Sequence, residues 1–142
     1  MIFAVSMPYS PVDLSIQRSV VGKVKQELLT SKGLRSLSPK DNNYRGIYFG
    51  NLAERDLAYH QGSVWTWLLG PFAESYLKVH GPSGKEFIKE LFYGFKEVMF
   101  EAGIGTVSEV YDGDPPHNAG GAISQAWSIA ELLRIKWMLD KM

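Results

Sequence analysis

Three carboxylates, Glu109, Asp112 and Asp114, lie within the stretch GTVSEVYDGDPPH at residues 105–117, together with two prolines and His117. That density of ionisable groups admits three kinds of chemistry. The first is a solvated turn, for which Asp-Gly-Asp followed by two prolines is suitable. The second is a divalent-cation site built from Glu109, Asp112, Asp114 and His117, since hard cations want several oxygens. The spacing departs from the EF-hand pattern, because Pro116 falls where a third oxygen ligand belongs. The third is a catalytic carboxylate with supporting acids. Pro115 and Pro116 would stiffen the backbone, while Gly105 and Gly113 would permit the tight conformations that aim a side chain into a cleft.

A second polar group sits in YHQGSVWTW, residues 59–67. Tyr59, His60 and Gln61 supply donors and acceptors at an expected helix start, and Trp65 and Trp67 follow within two turns. Capping and core filling account for Trp65; Trp67 lies off the apolar stripe. A carbohydrate site uses both features, flat amphipathic rings for stacking and planar polar side chains for hydroxyls. A third group, GGAISQAWS at residues 120–128, places Gln125 and Trp127 at a helix start behind two glycines that allow close backbone approach. Arg55 and Asp56, next to Tyr59, form either an exposed pair or a buried support for the site.

The elements that must position these groups read as helices. Ser10-Pro11-Val12-Asp13 resembles a capping box, and Val12, Ile16, Val20, Val24 and Leu28 form a stripe running to about Leu29, with Gly33 as the stop. Residues 34–58 read as a long loop with at most a short helical turn. A second helix is predicted from Gln61 to Val79 with a kink at Gly70-Pro71. A third is predicted behind a capping box at Ser83–Glu86, running to about Glu101, with Gly103 as its stop. A fourth is predicted from Gly121 to Leu139, carrying Ile123, Trp127, Ala130, Leu133 and Trp137. With about four major helices and no convincing strand, the expected fold class is all-α, in a single domain over residues 1–142.

Chain-wide properties narrow the function classes. Lys plus Arg and Asp plus Glu number 15 each, so no net field favours nucleic acid or an anionic membrane. The 142 residues contain no cysteine, which excludes thiol chemistry and disulfide scaffolds and suits the reducing cytoplasm. The opening MIFAVSMPYSP has no basic n-region and a short apolar run, and is expected to be neither a signal peptide nor an anchor. No cofactor motif is present, and neither cofactor nor resident metal is expected.

Taken in order, RDLAYHQGSVWTWLLGPF, SEVYDGDPPH and SQAWSIAELLR resemble the C-terminal part of the glucosidase domain of glycogen debranching enzymes. The resemblance reaches FAVSMPYSPVD and GLRSLSP, and so covers nearly the whole chain. It implies part of an (α/α)6 six-hairpin barrel, amylo-α-1,6-glucosidase activity, and inverting hydrolysis of the single glucose left at a branch point. By the same resemblance Glu109 matches the Ser-Glu position of the general base, with Tyr111, Asp112 and Asp114 beside it. Tyr59, His60, Gln61, Trp65 and Trp67 match the aromatic motif, with Trp67 the stacking candidate, and Gln125 and Trp127 match the last motif. The Gly-Arg-Asp segment expected to furnish the general acid has no counterpart. The expectation is therefore a fragment inactive by itself, acting on an α-glucan or branched maltooligosaccharide only with a separate upstream chain, and self-associating if alone. The alternative is a non-catalytic carbohydrate-binding or self-associating helical protein; a metal-binding module is the third reading.

Overall fold

A short helix, α1 (Ile2–Ser6), opens the chain and buries Ile2 and Val5. The next, α2 (Leu14–Glu27), starts at Asp13, whose carboxylate accepts the Ile16 N–H at 3.0 Å. This places the cap three residues beyond the expected Ser10, whose hydroxyl instead bonds within its own turn at Val12. The buried stripe of α2 is Gln17, Val20, Val21 and Val24, one face of a 3.6-residue period. In this computed structural model, which describes residues 1–142, the chain then turns into strands rather than a loop.

Five short strands follow, β1 (Leu29–Thr30), β2 (Gly33–Arg35), β3 (Val64–Trp65), β4 (Val110–Tyr111) and β5 (Ala119–Gly120). They form one antiparallel sheet in chain order, with Leu34 opposite Trp65, Val64 opposite Tyr111 and Val110 opposite Gly120. The all-α expectation is therefore wrong: the molecule mixes helices with an antiparallel sheet, and with it the reading as a purely helical barrel segment falls. The physical reason is length. Strands of two or three residues show no usable alternation, and Val64-Trp65 also satisfied the period of the helix that follows.

Between β2 and β3 lies α3 (Leu52–Tyr59), capped reciprocally by Asn51 and Glu54. After β3 a 3-10 turn, Thr66–Leu68, leads into α4 (Leu69–His80). Gly70-Pro71 therefore lies in the first turn of α4, where a missing N–H leaves no intrahelical bond unmade, and the expected mid-helix kink does not arise. A second 3-10 turn, Gly81–Gly84, precedes α5 (Lys85–Val98); the Ser83 hydroxyl donates to the His80 carbonyl at 2.8 Å instead of capping α5. The last helix, α6 (Ala126–Lys141), begins five residues later than the expected Gly121, because Gly121 takes φ +68° and Ala122 and Gln125 hold main-chain bonds to Glu109 and Val107.

The centre of the core is α4, which packs against α1, α2, α5 and α6 and buries Leu69, Phe72, Ala73, Leu77 and Val79. Val21, Val64, Tyr111 and Ile135 join it from α2, β3, β4 and α6. Helices α4 and α6 are also tied by Arg134, which donates to Glu74 and Glu131 at 2.8 Å each. No helix is long and apolar enough to cross a membrane.

Candidate functional site

The sheet carries the site at its β3–β4–β5 side. Glu109 immediately precedes β4; its N–H donates to the Ala122 carbonyl at 2.8 Å, and its Oε2 accepts the Ala122 N–H at 2.9 Å. That return contact needs the backbone at Gly121 to adopt φ +68°, and a Cβ there would collide with Glu109 Oε2. The other oxygen, Oε1, accepts the Tyr59 hydroxyl from the end of α3. Burial, and then the Glu109 carboxylate beside it, push the Tyr59 phenol up to about 12. Tyr59 therefore keeps its proton at ordinary pH and acts as the donor. Glu109 is half-buried, with a lone pair on each oxygen left after these two bonds.

Tyr59 joins Glu109 to an aromatic wall. Its carbonyl accepts the Trp65 indole N–H at 3.0 Å, and its ring meets Trp65 edge-on with centroids 4.6 Å apart. His60 stacks on Trp65 with planes 4° from parallel. Trp127, from the start of α6, meets Trp65 at 5.9 Å and Trp67 at 5.5 Å, and Phe3 of α1 stacks on Trp67 at 5.7 Å. His60, Trp65, Trp67 and Trp127, with Ser36 and Leu68, line an open cleft of about 230 Å³. Trp65 is buried while Trp127 is 45% exposed, so the cleft presents indole to solvent. Amphipathic rings in such a position suit the apolar C–H faces of a sugar.

The other two carboxylates of the loop behave differently. Asp112 is only 5% exposed; its oxygens accept the Tyr48 N–H at 2.7 Å and the Asn118 side-chain amide at 3.1 Å. Asp114 accepts the Tyr44 hydroxyl at 3.0 Å and donates its N–H to the Gly46 carbonyl at 3.1 Å. Both therefore fasten segment 44–48 to the loop, and the Arg35 guanidinium adds a 2.8 Å bond to the Gly113 carbonyl. Neither bonds to Glu109. His117 turns back on the same loop, with Nδ1 2.8 Å from the Asp112 carbonyl oxygen. No three His, Asp or Glu side chains gather in a way that would hold a metal ion.

Tyr111 is 1% exposed and its hydroxyl accepts the Ser108 N–H, so its side chain faces the core. Gln61 contributes main-chain bonds, its carbonyl accepting the Arg45 N–H at 2.6 Å. Gln125 caps α6 through Oε1 and anchors its own N–H on the Val107 carbonyl at 2.9 Å. Arg55 and Asp56 are both exposed on α3. Reasoning from the sequence missed Phe3, Tyr44, Tyr48 and the Ala122 N–H. Tyr44 and Tyr48 were visible as an unexplained aromatic pair in a turn-rich stretch, whereas the backbone donor had no residue type to announce it.

The yeast Saccharomyces cerevisiae (strain ATCC 204508 / S288c) has a glycogen debranching enzyme that is 29% identical over 155 aligned residues, covering 92% of this chain and 10% of the enzyme. The chain thus spans about a tenth of the length of that curated relative. The model of a protein family described as amylo-alpha-1,6-glucosidase matches residues 1–134. With that match extending over most of its 142 residues, the chain belongs to the amylo-α-1,6-glucosidase family.

Proposed function

We propose that this chain contributes the general-base side of an inverting α-1,6-glucosidase acting on a branched maltooligosaccharide or α-glucan. Glu109 takes a proton from the attacking water, and the cleft of His60, Trp65, Trp67 and Trp127 stacks the glucosyl residue, with Gln61 and Gln125, close in sequence to His60 and Trp127, as further candidates to contact it. The observation that carries this is the Glu109 carboxylate, fixed by Tyr59 and the Ala122 N–H and linked through Tyr59 to Trp65 in the wall of an indole-lined cleft. Inversion needs a second carboxyl group across the sugar, far enough from the base to admit water. Asp112 and Asp114 are committed to segment 44–48, and Glu54 to the α3 capping box. Asp56 is exposed on α3 and, like Glu54, does not match the acid position of the family resembled, so in this reading the acid comes from another stretch of polypeptide, a separate upstream chain or further sequence of a longer one.

The test is release of glucose from a glucosyl-branched maltooligosaccharide. The 142 residues alone release none at an enzyme-like rate, and residues 1–134 grafted in place of the matching segment of the yeast enzyme support release that Glu109→Gln removes. Enzyme-like release by the 142 residues alone would refute the division of labour. Asp112→Asn, which does not touch the base, has the milder effect. The second reading, a non-catalytic glucan binder, rests on the solvent-facing indoles; binding of maltooligosaccharide together with an active Glu109→Gln graft would favour it. We further propose a cytoplasmic location, from the cysteine-free composition, and self-association through the apolar α5–α6 groove of about 250 Å³ lined by Phe92, Tyr93, Met99, Ile129 and Leu133. Sedimentation as a monomer at micromolar concentration would refute association.

A further inference from the structure

The neighbourhood of Tyr59 contains more order than a sugar contact requires. The last turn of α3 is pinned from behind: the Ala58 carbonyl accepts the Ser63 hydroxyl at 3.0 Å and the Ser63 N–H at 3.2 Å, and also the Gln61 N–H at 3.1 Å. One residue on, the Tyr59 carbonyl accepts the Trp65 indole N–H at 3.0 Å. The Tyr59 ring is enclosed by Tyr48, His60 and Trp65, with centroids 5.8, 4.9 and 4.6 Å away. Its only polar atom is spent on Glu109 Oε1. Backbone, ring and hydroxyl of Tyr59 are thus all engaged within the protein.

The Glu109 carboxylate is held at two points by groups from opposite directions, the phenol O–H on Oε1 and the Ala122 N–H on Oε2. Two donors on two oxygens fix the rotation of a carboxylate about its last side-chain bond, which one donor leaves free. Aspartates 112 and 114, the loop's other acids, give Glu109 no such support.

We propose that Tyr59 is a positioning residue for the Glu109 base, not a sugar contact, its hydroxyl and the Ala122 N–H together fixing the plane of the carboxylate. This rests on the assignment of Glu109 as base. A positioning residue acts through the group it orients, so its loss lowers kcat and leaves substrate affinity alone; a sugar contact binding ground and transition states equally would raise KM.

Two measurements test the inference. In the graft of residues 1–134 into the yeast enzyme, Tyr59→Phe is expected to lower kcat about 10- to 100-fold with KM within about twofold, while Trp67→Ala raises KM. A raised KM with unchanged kcat in Tyr59→Phe would overturn the positioning role. If Glu109→Gln abolishes turnover while Tyr59→Phe leaves kcat intact, the positioning role alone falls. If Glu109→Gln turns over normally, the base assignment falls and takes the positioning role with it. The second measurement needs no activity: alkaline titration of the 142-residue chain carrying 13Cζ-labelled tyrosine, with Tyr59 identified by the signal lost in Tyr59→Phe. Tyr59 should titrate near 12, and Glu109→Gln should lower its midpoint. Titration of Tyr59 among the ordinary tyrosines would show that the pair does not form and would overturn the proposal even if the graft failed to fold.

Discussion

Glu109 and Asp112 are three residues apart on one loop, yet they live in different chemistry. Asp112 is buried, and its bonds go to a main-chain N–H and a side-chain amide of neighbouring segments, an arrangement that fastens backbone to backbone. Glu109 is half-buried, and its two donors, one of them the Tyr59 hydroxyl that links it to the aromatic cluster, leave a lone pair on each oxygen. What a carboxylate can do is decided by what its oxygens already accept, and residue type and spacing do not report that.

The contrast can be broken most directly at the two acids themselves. In the graft, Glu109→Gln should cost about 10²- to 10⁴-fold in glucose release. The melting temperature of the isolated chain should stay within about 2 °C, since the amide keeps one oxygen acceptor and the side-chain volume. A large thermal loss with intact turnover would invert the assignment. Asp112→Ala is the mirror experiment. It leaves the Tyr48 N–H and the Asn118 amide without their acceptor, so it should destabilise by about 1–3 kcal/mol, read as a lowered urea midpoint. Gly121→Ala sharpens the comparison from the other side. Left-handed backbone costs a non-glycine residue about 1–2 kcal/mol, and the added methyl would displace Glu109 Oε2. It should therefore lower both stability and turnover, which neither acid substitution does. The smallest effect belongs to Tyr44→Phe, which removes one hydrogen bond to Asp114 and should cost about 0.5–1.5 kcal/mol without changing KM.

The four longest helices were legible because each repeats an apolar residue every three or four positions over three turns or more. Their ends were not. Asp13 and Ser10 are equally good caps by residue type, and only the chain's path decides between them. The sheet was invisible for the same kind of reason: five strands of two or three residues are stabilised by partners as distant as Val64 and Tyr111, and no local window contains that pairing. The expectation of a purely helical fold failed there. Within the site, the clustering of Tyr59, Trp65, Trp67 and Trp127 answered to residue types that were conspicuous in the sequence. The Ala122 N–H did not, because every residue but proline carries one, and its role appears only once Gly121 has bent the backbone towards Glu109.

The indole cluster has a spectroscopic consequence. Trp65 and Trp67 each lie within 6 Å of Trp127, with planes inclined to it by 68° and 31°. Chromophores that close and that skewed share their excited states, so the chain should show a paired positive and negative circular-dichroism band near the strong indole absorption. Trp137, exposed on α6 with Lys141 over its ring, has no ring partner among them and would add only a plain tryptophan signal. The couplet would collapse on changing Trp127, which makes both contacts, would change on losing Trp65 or Trp67, and would persist in Trp137→Phe. The fold has thereby built its own optical gauge into the wall of the cleft, one that reads the relative tilt of those rings in unlabelled protein.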